Sequence, residues 1–240
     1  MNLTIDIGNS RVKLGFFEAE SLVSSQIIDS SHQTAIIQLI QSGDIEAAIL
    51  SSVQKIDREF ENVLRQNVLL TVLTKEAKLP FDNQYDTPET LGKDRLAAVA
   101  GAQALFPEKN LLVIDAGTCI TYDFITASGA YLGGAISPGV SIRFRSLNEY
   151  TGRLPLIDKS GNSELIGATT KESIESGVIN GVTEELNGII NRYRERYRNM
   201  AVVMTGGDSQ FFETSINCPI FADPNLVLIG LNRILRYNAS

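Results

Sequence analysis

A chain of 240 residues with a net charge of −7 has room for one large lobe or two compact ones. Its charge argues against sequence-independent nucleic-acid binding, which is driven by Lys and Arg neutralising phosphates. Hydrophobic residues at 43% and charged residues at 20% describe a soluble protein with ample core and exclude whole-chain disorder.

The N-terminus has no charged segment followed by an apolar one, and no apolar run reaches about 18 residues, so a cytoplasmic protein without membrane attachment is expected. "LTIDIG" and "RVKLGFF" read as strands joined by a tight Gly-Asn-Ser turn, with "SLVSSQII" a third strand. Helix and strand patterns then alternate: "QTAIIQLIQS" as helix with His32 near its start, "AAILSSV" as strand, "DREFENVLRQN" as helix, "VLLTVL" as strand. After "GKDR" comes a helix, "RLAAVAGAQALF", at whose start Asp94 is placed as an N-cap. "NLLVIDAGTCITYDFI" restarts the strand–turn–strand pattern, and the glycines and proline of "YLGGAISPGVS" read as turn formers. "GRLPLIDKSGNSELIG" has the composition of a surface loop. A long amphipathic helix follows, with Ile174, Val178, Val182, Leu186 and Ile190 at helical spacing and a capping box between Thr169 and Glu172. Gly177 and Gly181 in that helix cost stability relative to alanine and imply close approach of another element or subunit. The cluster Arg192, Arg194, Arg196, Arg198 wraps around the axis and reads as a solvated end. "MAVVMTGGDS" is a strand ending in a turn, and "NLVLIGLNRILRYN" is a closing apolar helix.

Two features carry chemistry. Asp6-Ile7-Gly8-Asn9-Ser10 and Asp115-Ala116-Gly117-Thr118 repeat an Asp-x-Gly-hydroxyl turn about 109 residues apart, as a duplicated lobe would. Either turn alone is explained by a hairpin in which glycine takes a positive φ. Together they suit phosphate, because glycine lets the backbone N–H groups approach and the hydroxyl adds an oxygen. The leading carboxylates would repel phosphate unless a hard cation intervened. Neither G-x-x-x-x-G-K-[ST] nor G-x-G-x-x-G occurs, which excludes a P-loop and a Rossmann dinucleotide site. The two cysteines, Cys119 and Cys218, lie far apart without metal-ligand spacing, and a single histidine leaves Asp, Glu, Lys or Tyr as candidate bases.

In this order, "DIGNSRVK", "GKDR", "DAGTCITYD" and "TGGD", with "GGAISPG" and "IGATTKESIESG", resemble the type III pantothenate kinase family of the sugar kinase, Hsp70 and actin superfamily. The related Bvg accessory factor proteins share the pattern. The resemblance implies an α/β fold of two ribonuclease-H-like lobes of the actin-like ATPase superfamily, here residues 1–109 and 110–240. It also implies a homodimer that phosphorylates pantothenate with ATP in the first step of coenzyme A synthesis.

On the same resemblance, Asp6, Ile7, Gly8, Asn9, Ser10, Arg11, Val12 and Lys13 hold the ATP phosphates, with Asp6 oriented toward Mg²⁺, and Thr118 adds a second phosphate contact. Asp115 matches the monovalent-cation ligand, for K⁺ or NH4⁺. Tyr85, Gly92, Lys93, Asp94, Arg95 and Thr170 match pantothenate-binding positions, and Asp94 the catalytic base. Gly206 to Asp208 matches an adenosine-side loop or a plain strand-ending turn. Ser10 stands where the family more often has threonine, Cys119 where alanine is commoner, and Ala168-Thr169 where many members have Asn before the threonine. The alternative reading is a nucleotide-binding accessory protein of the same family without kinase activity.

Overall fold

The computed structural model describes residues 1–8, 11–29, 33–159, 161 and 163–239. The chain forms β1 (Asn2–Ile7), β2 (Arg11–Glu18), β3 (Ser21–Asp29), α1 (Gln33–Gln41), β4 (Ala47–Ser52), α2 (Arg58–Asn67), β5 (Leu69–Val72), β6 (Asp82–Asn83) and α3 (Lys93–Leu105). It continues through β7 (Asn110–Ala116), β8 (Cys119–Ile125), β9 (Ala130–Pro138), α4 (Val140–Glu149), α5 (Thr170–Arg196), β10 (Met200–Thr205), α6 (Ser209–Glu213), β11 (Phe221–Ala222) and α7 (Leu226–Ala239). Two compact units result: Met1–Glu108 with Ile125–Gly133 and Asn225–Ser240, and Lys109–Phe124 with Gly134–Pro224. Among the described residues no helix is long and apolar enough to cross a membrane.

One topology is used twice. The first sheet runs β3-β2-β1-β4-β5, with β1 antiparallel to β2 and parallel to β4. The second runs β11-β10-β7-β8-β9-β6, where β7 takes the place of β1, β8 of β2 and β10 of β4. In each sheet a hairpin places an aspartate near the end of its first strand, and a parallel neighbour carries, at or next to its own end, a hydroxyl residue in register with it. Asp6 faces Ser51, and Asp115 faces Thr205.

The central strands are apolar because both faces are covered. Leu3, Ile5, Leu14 and Leu50 meet Ile36, Ile40, Phe60 and Leu64 of α1 and α2 in the first core. In the second, Ile114, Ile120 and Met204 meet Ile174, Val178, Val182 and Leu186 of α5. Phe124 stacks on Tyr197 at 4.1 Å and lies 5.4 Å from Tyr193, which anchors the far end of α5 while Arg192, Arg194, Arg196 and Arg198 stay exposed as expected.

Three local expectations change. "YLGGAISP" is the strand β9 rather than a turn. Gly134 is there because a Cβ would collide with the Tyr122 backbone on the adjacent strand. The helices α4 and α6 follow segments that read as turns. Helix α3 is buried from Arg95 to Ala102 on all sides, since α7 presses against it where Gly101 and Gly230 leave no room for a side chain. Helix α3 carries the "GKDR" segment at its N-terminus, so this backbone-level packing fixes where that segment stands.

Candidate active site

In the first unit, the β1–β2 hairpin closes with Gly8 N–H donating to the Arg11 carbonyl at 3.0 Å. Asn9 and Ser10 lie outside the described residues, as does His32. Of the other expected phosphate-loop residues, Val12 is 2% exposed, and its side chain packs into the core with Ile7 against it. Arg11 is exposed. Lys13 pairs with Asp6 across the hairpin, and its charge favours the Asp6 carboxylate. Even so, Asp6 is pushed up to about 6, first by burial and then by the like charge of Asp94. The Ser51 hydroxyl pulls the other way, yet it does not meet full hydrogen-bond geometry, and its oxygen is buried without a partner.

Asp94 is not the N-cap of α3. That position is Gly92, which makes no side-chain cap, and Asp94 lies in the first helical turn. Its Oδ1 accepts from the Arg95 N–H at 2.9 Å, satisfying one of the free donors of the helix start. A Cβ on Gly92 would lie 2.5 Å from that oxygen, so glycine makes room for the carboxylate. Lys93, the first helical residue, is half-buried.

Arg95 follows at 6% exposure, with its guanidinium 5.7 Å from the centre of the Tyr85 ring. Tyr85 is itself held from several sides: its N–H donates to Asn83 Oδ1 at 3.1 Å, its ring lies 6.2 Å from Tyr131, and its edge rests on Gly133. Gly133 has φ +92°, and a Cβ there would meet the Tyr85 ring at 2.9 Å. Glycine is thus required twice over at this position.

In the second unit, Gly117 N–H donates to Cys119 O at 2.9 Å and turns β7 into β8, leaving Thr118 exposed at the tip. Asp115 is half-buried beside this turn. Gly206, at φ +97°, crosses it so closely that a Cβ would sit 2.5 Å from Asp115 Oδ1. Asp208 continues the crossing, donating its N–H to Ala116 O at 2.8 Å and pairing with Lys159 at 2.5 Å. The Thr205 hydroxyl is buried without a hydrogen-bond partner. Thr170 is exposed as the first residue of α5, held by the expected capping box between Thr169 and Glu172. Gly177 and Gly181 face open space, so among the described residues no element is the close neighbour they suggested.

The structure brings Asp6, Lys13 and Asp94 together in one unit, with Tyr85 and Arg95 paired beside Gly133. It brings Asp115, Thr118 and the Gly206 crossing together in the other. Ser51 and Thr205 are additions to the sequence reading. Their only signal was a hydroxyl ending an apolar strand, "AILSS" and "VVMT", which gains meaning once the parallel register is known. Among the described residues no group of three or more His, Cys, Asp or Glu side chains is gathered to hold a metal.

The repeated sheet, each copy with an Asp-x-Gly turn after its first strand, defines an actin-like ATPase fold of two ribonuclease-H-like lobes. It is shared with a Baf family protein from Campylobacter jejuni at TM-score 0.64 and 23% identity, over 99% of this chain and 98% of that one. A ROK family protein from Streptococcus pneumoniae has the same fold at TM-score 0.55 and 12% identity, over 99% of each chain. The family model described as type III pantothenate kinase matches residues 2–192. A protein named type III pantothenate kinase from Christiangramia forsetii is 44% identical over 240 residues, 99% of each chain. The chain belongs to the type III pantothenate kinase family.

Proposed function

We propose that this chain transfers the γ-phosphoryl group of ATP to the primary hydroxyl of pantothenate, giving 4'-phosphopantothenate and ADP. The observation that carries the reading is the full-length match to a protein of that name, 44% identical over 99% of both chains. The geometry supports it with an acidic side chain held at a helix start and glycine turns beside both Asp6 and Asp115.

Asp94 accepts the hydroxyl proton as the alcohol oxygen attacks phosphorus in line, and the bond to the ADP oxygen breaks. The Gly92 backbone leaves that carboxylate space, and its bond from the Arg95 N–H fixes its direction. Arg95 presents its fork of donors to the pantothenate carboxylate or another acceptor, steadied by the Tyr85 ring. Tyr85 covers the aliphatic part of the substrate, with Lys93 and the exposed Thr170 as further contacts. The Gly8 and Thr118 turns are read as the segments that meet the phosphates, with the exposed Thr118 hydroxyl as one donor.

Two buried hydroxyls without partners, Ser51 beside Asp6 and Thr205 beside Asp115, add an oxygen next to each carboxylate, the donor type that hard cations take. Asp6 would hold the Mg²⁺ that accompanies ATP, and Asp115 a K⁺ or NH4⁺ ion. These cations supply neutralisation of phosphate charge. The exposed glycine face of α5 is read as the contact of a homodimer.

ATP consumption by purified protein, with and without pantothenate and in K⁺ versus Na⁺ buffer, tests the proposal. Turnover that requires pantothenate and is faster in K⁺ is expected. Absence of pantothenate-dependent turnover in either salt overturns it in favour of a nucleotide-binding accessory role.

A further inference from the structure

The second phosphate turn is propped from outside by a polar network built on Ser137, Arg143, Glu185 and Tyr122. Gly139, between β9 and α4, donates its N–H to Thr118 O at 3.0 Å. A Cβ on it would collide with the carbonyl oxygens of both Gly117 and Thr118, so the Ser137–Gly139 segment lies directly on the backbone of the turn. Arg143, one helical turn into α4, grips that segment. Its Nε donates to Pro138 O at 2.8 Å and its Nη2 to Ser137 Oγ at 2.9 Å. Nη2 also donates to Glu185 Oε2 of α5 at 2.5 Å. The other oxygen, Glu185 Oε1, accepts from the hydroxyl of fully buried Tyr122 at 2.9 Å, and Tyr122 lies on β8, the strand that leaves the turn.

We infer that Arg143 and Glu185 are positioning residues for ATP, which set the place of Thr118 by clamping the Ser137–Gly139 segment and the β8 strand to one carboxylate. The inference rests on the reading of Gly117-Thr118 as a phosphate turn. A half-buried ion pair adds little net stability over well-packed apolar residues, because removing two charges from water offsets their attraction. Its distinctive property is directional: a guanidinium fork fixes three acceptors at once, and a lysine in its place would not. Glu185 keeps its charge, since burial raises its pKa but the bonds from Arg143, Ser137 and Tyr122 together hold it below the ordinary value. Burial and the Glu185 charge push the Tyr122 hydroxyl well above its usual range, so it remains a donor. The clamp therefore has fixed charges throughout the working pH range.

Steady-state kinetics of Arg143→Lys and Ser137→Ala in the full-length enzyme, with thermal midpoints, test this. Arg143→Lys keeps the charge and loses the fork. It should raise the KM for ATP about tenfold, on the scale at which sub-ångström to ångström misplacement acts, with the KM for pantothenate within about twofold. Ser137→Ala, which removes one acceptor and leaves the ion pair intact, should raise the KM for ATP by a smaller factor without lowering the midpoint. The inference is overturned if ATP KM is unchanged in both variants, or if both KM values rise in parallel, as general loosening would cause. Thr118→Ala separates the two layers of the argument. If it leaves ATP KM unchanged, the phosphate-turn reading falls and the positioning role with it. If it raises ATP KM while Arg143→Lys and Ser137→Ala do not, only the positioning role falls.

Discussion

Asp6→Asn should make the ligand-free protein more stable at neutral pH while impairing its use of Mg²⁺-ATP. Asp6 carries a pKa of 3.8 when unperturbed and about 6 in the fold, raised by burial and by Asp94. A carboxylic acid whose pKa is raised on folding binds more protons folded than unfolded between those values. Stability therefore falls as pH climbs from about 4 to 6 and stays lower above that window. At about 1.4 kcal/mol per pH unit the penalty at pH 7 is at most about 3 kcal/mol. Solvent screening of a partly exposed group reduces it to about 1.5 kcal/mol. The amide has no charge to desolvate and does not repel Asp94, so the variant should gain about that amount at pH 7 and less than half of it at pH 4.5. For a protein of this size, about 2–4 °C per kcal/mol makes the gain a rise of several degrees in thermal midpoint at pH 7. The assay is thermal and urea denaturation of both proteins at the two pH values without nucleotide. A variant less stable than the parent at pH 7, or a gain independent of pH, would refute the reasoning. The expected gain would identify Asp6 as a site where stability is given up for function.

Asp94→Asn should lower kcat by roughly 10² to 10⁴ through loss of the base, with stability reduced by no more than about 1 kcal/mol from its place in the first turn of α3. Near-normal turnover would return Asp94 to a structural role. Gly133→Ala forces a side chain into a φ of +92° and against the Tyr85 ring, so the KM for pantothenate should rise several-fold while that for ATP holds. Equal KM values in parent and variant would remove Tyr85 from the substrate site. Asp115→Ala should abolish the difference between K⁺ and Na⁺ in steady-state rate; a variant that keeps full K⁺ stimulation shows that the cation binds elsewhere.

The hairpins, the capping box at Thr169 and the long helix α5 were legible because each depends on neighbours in sequence: alternation, turn glycines and helical spacing. The double occurrence of Asp-x-Gly-hydroxyl was legible for the same reason, and the repeated sheet order shows what it marks. What depends on pairing across the chain was not. That β4 and β10 lie parallel to the aspartate strands, placing Ser51 and Thr205 beside Asp6 and Asp115, has no local signature. The glycines of β9 looked like turn residues because their purpose, approach to the Tyr122 backbone and to the Tyr85 ring, is visible only with the partner in place. Asp94 was misread as a cap because Asp is favoured there, whereas the helix begins at Lys93 with Gly92 as the cap. Gly101 and Gly230 carry the packing of α7 on α3, yet in sequence they only weaken two helices.

The central claim is most directly tested by the product. Purified protein incubated with ATP, Mg²⁺, K⁺ and pantothenate, with the mixture resolved by mass spectrometry and ³¹P NMR, should yield a phosphate monoester on the primary hydroxyl of pantothenate in step with ADP. The Asp94→Asn protein should yield almost none. ATP hydrolysis without that ester, or the ester formed equally well by Asp94→Asn, would contradict the account.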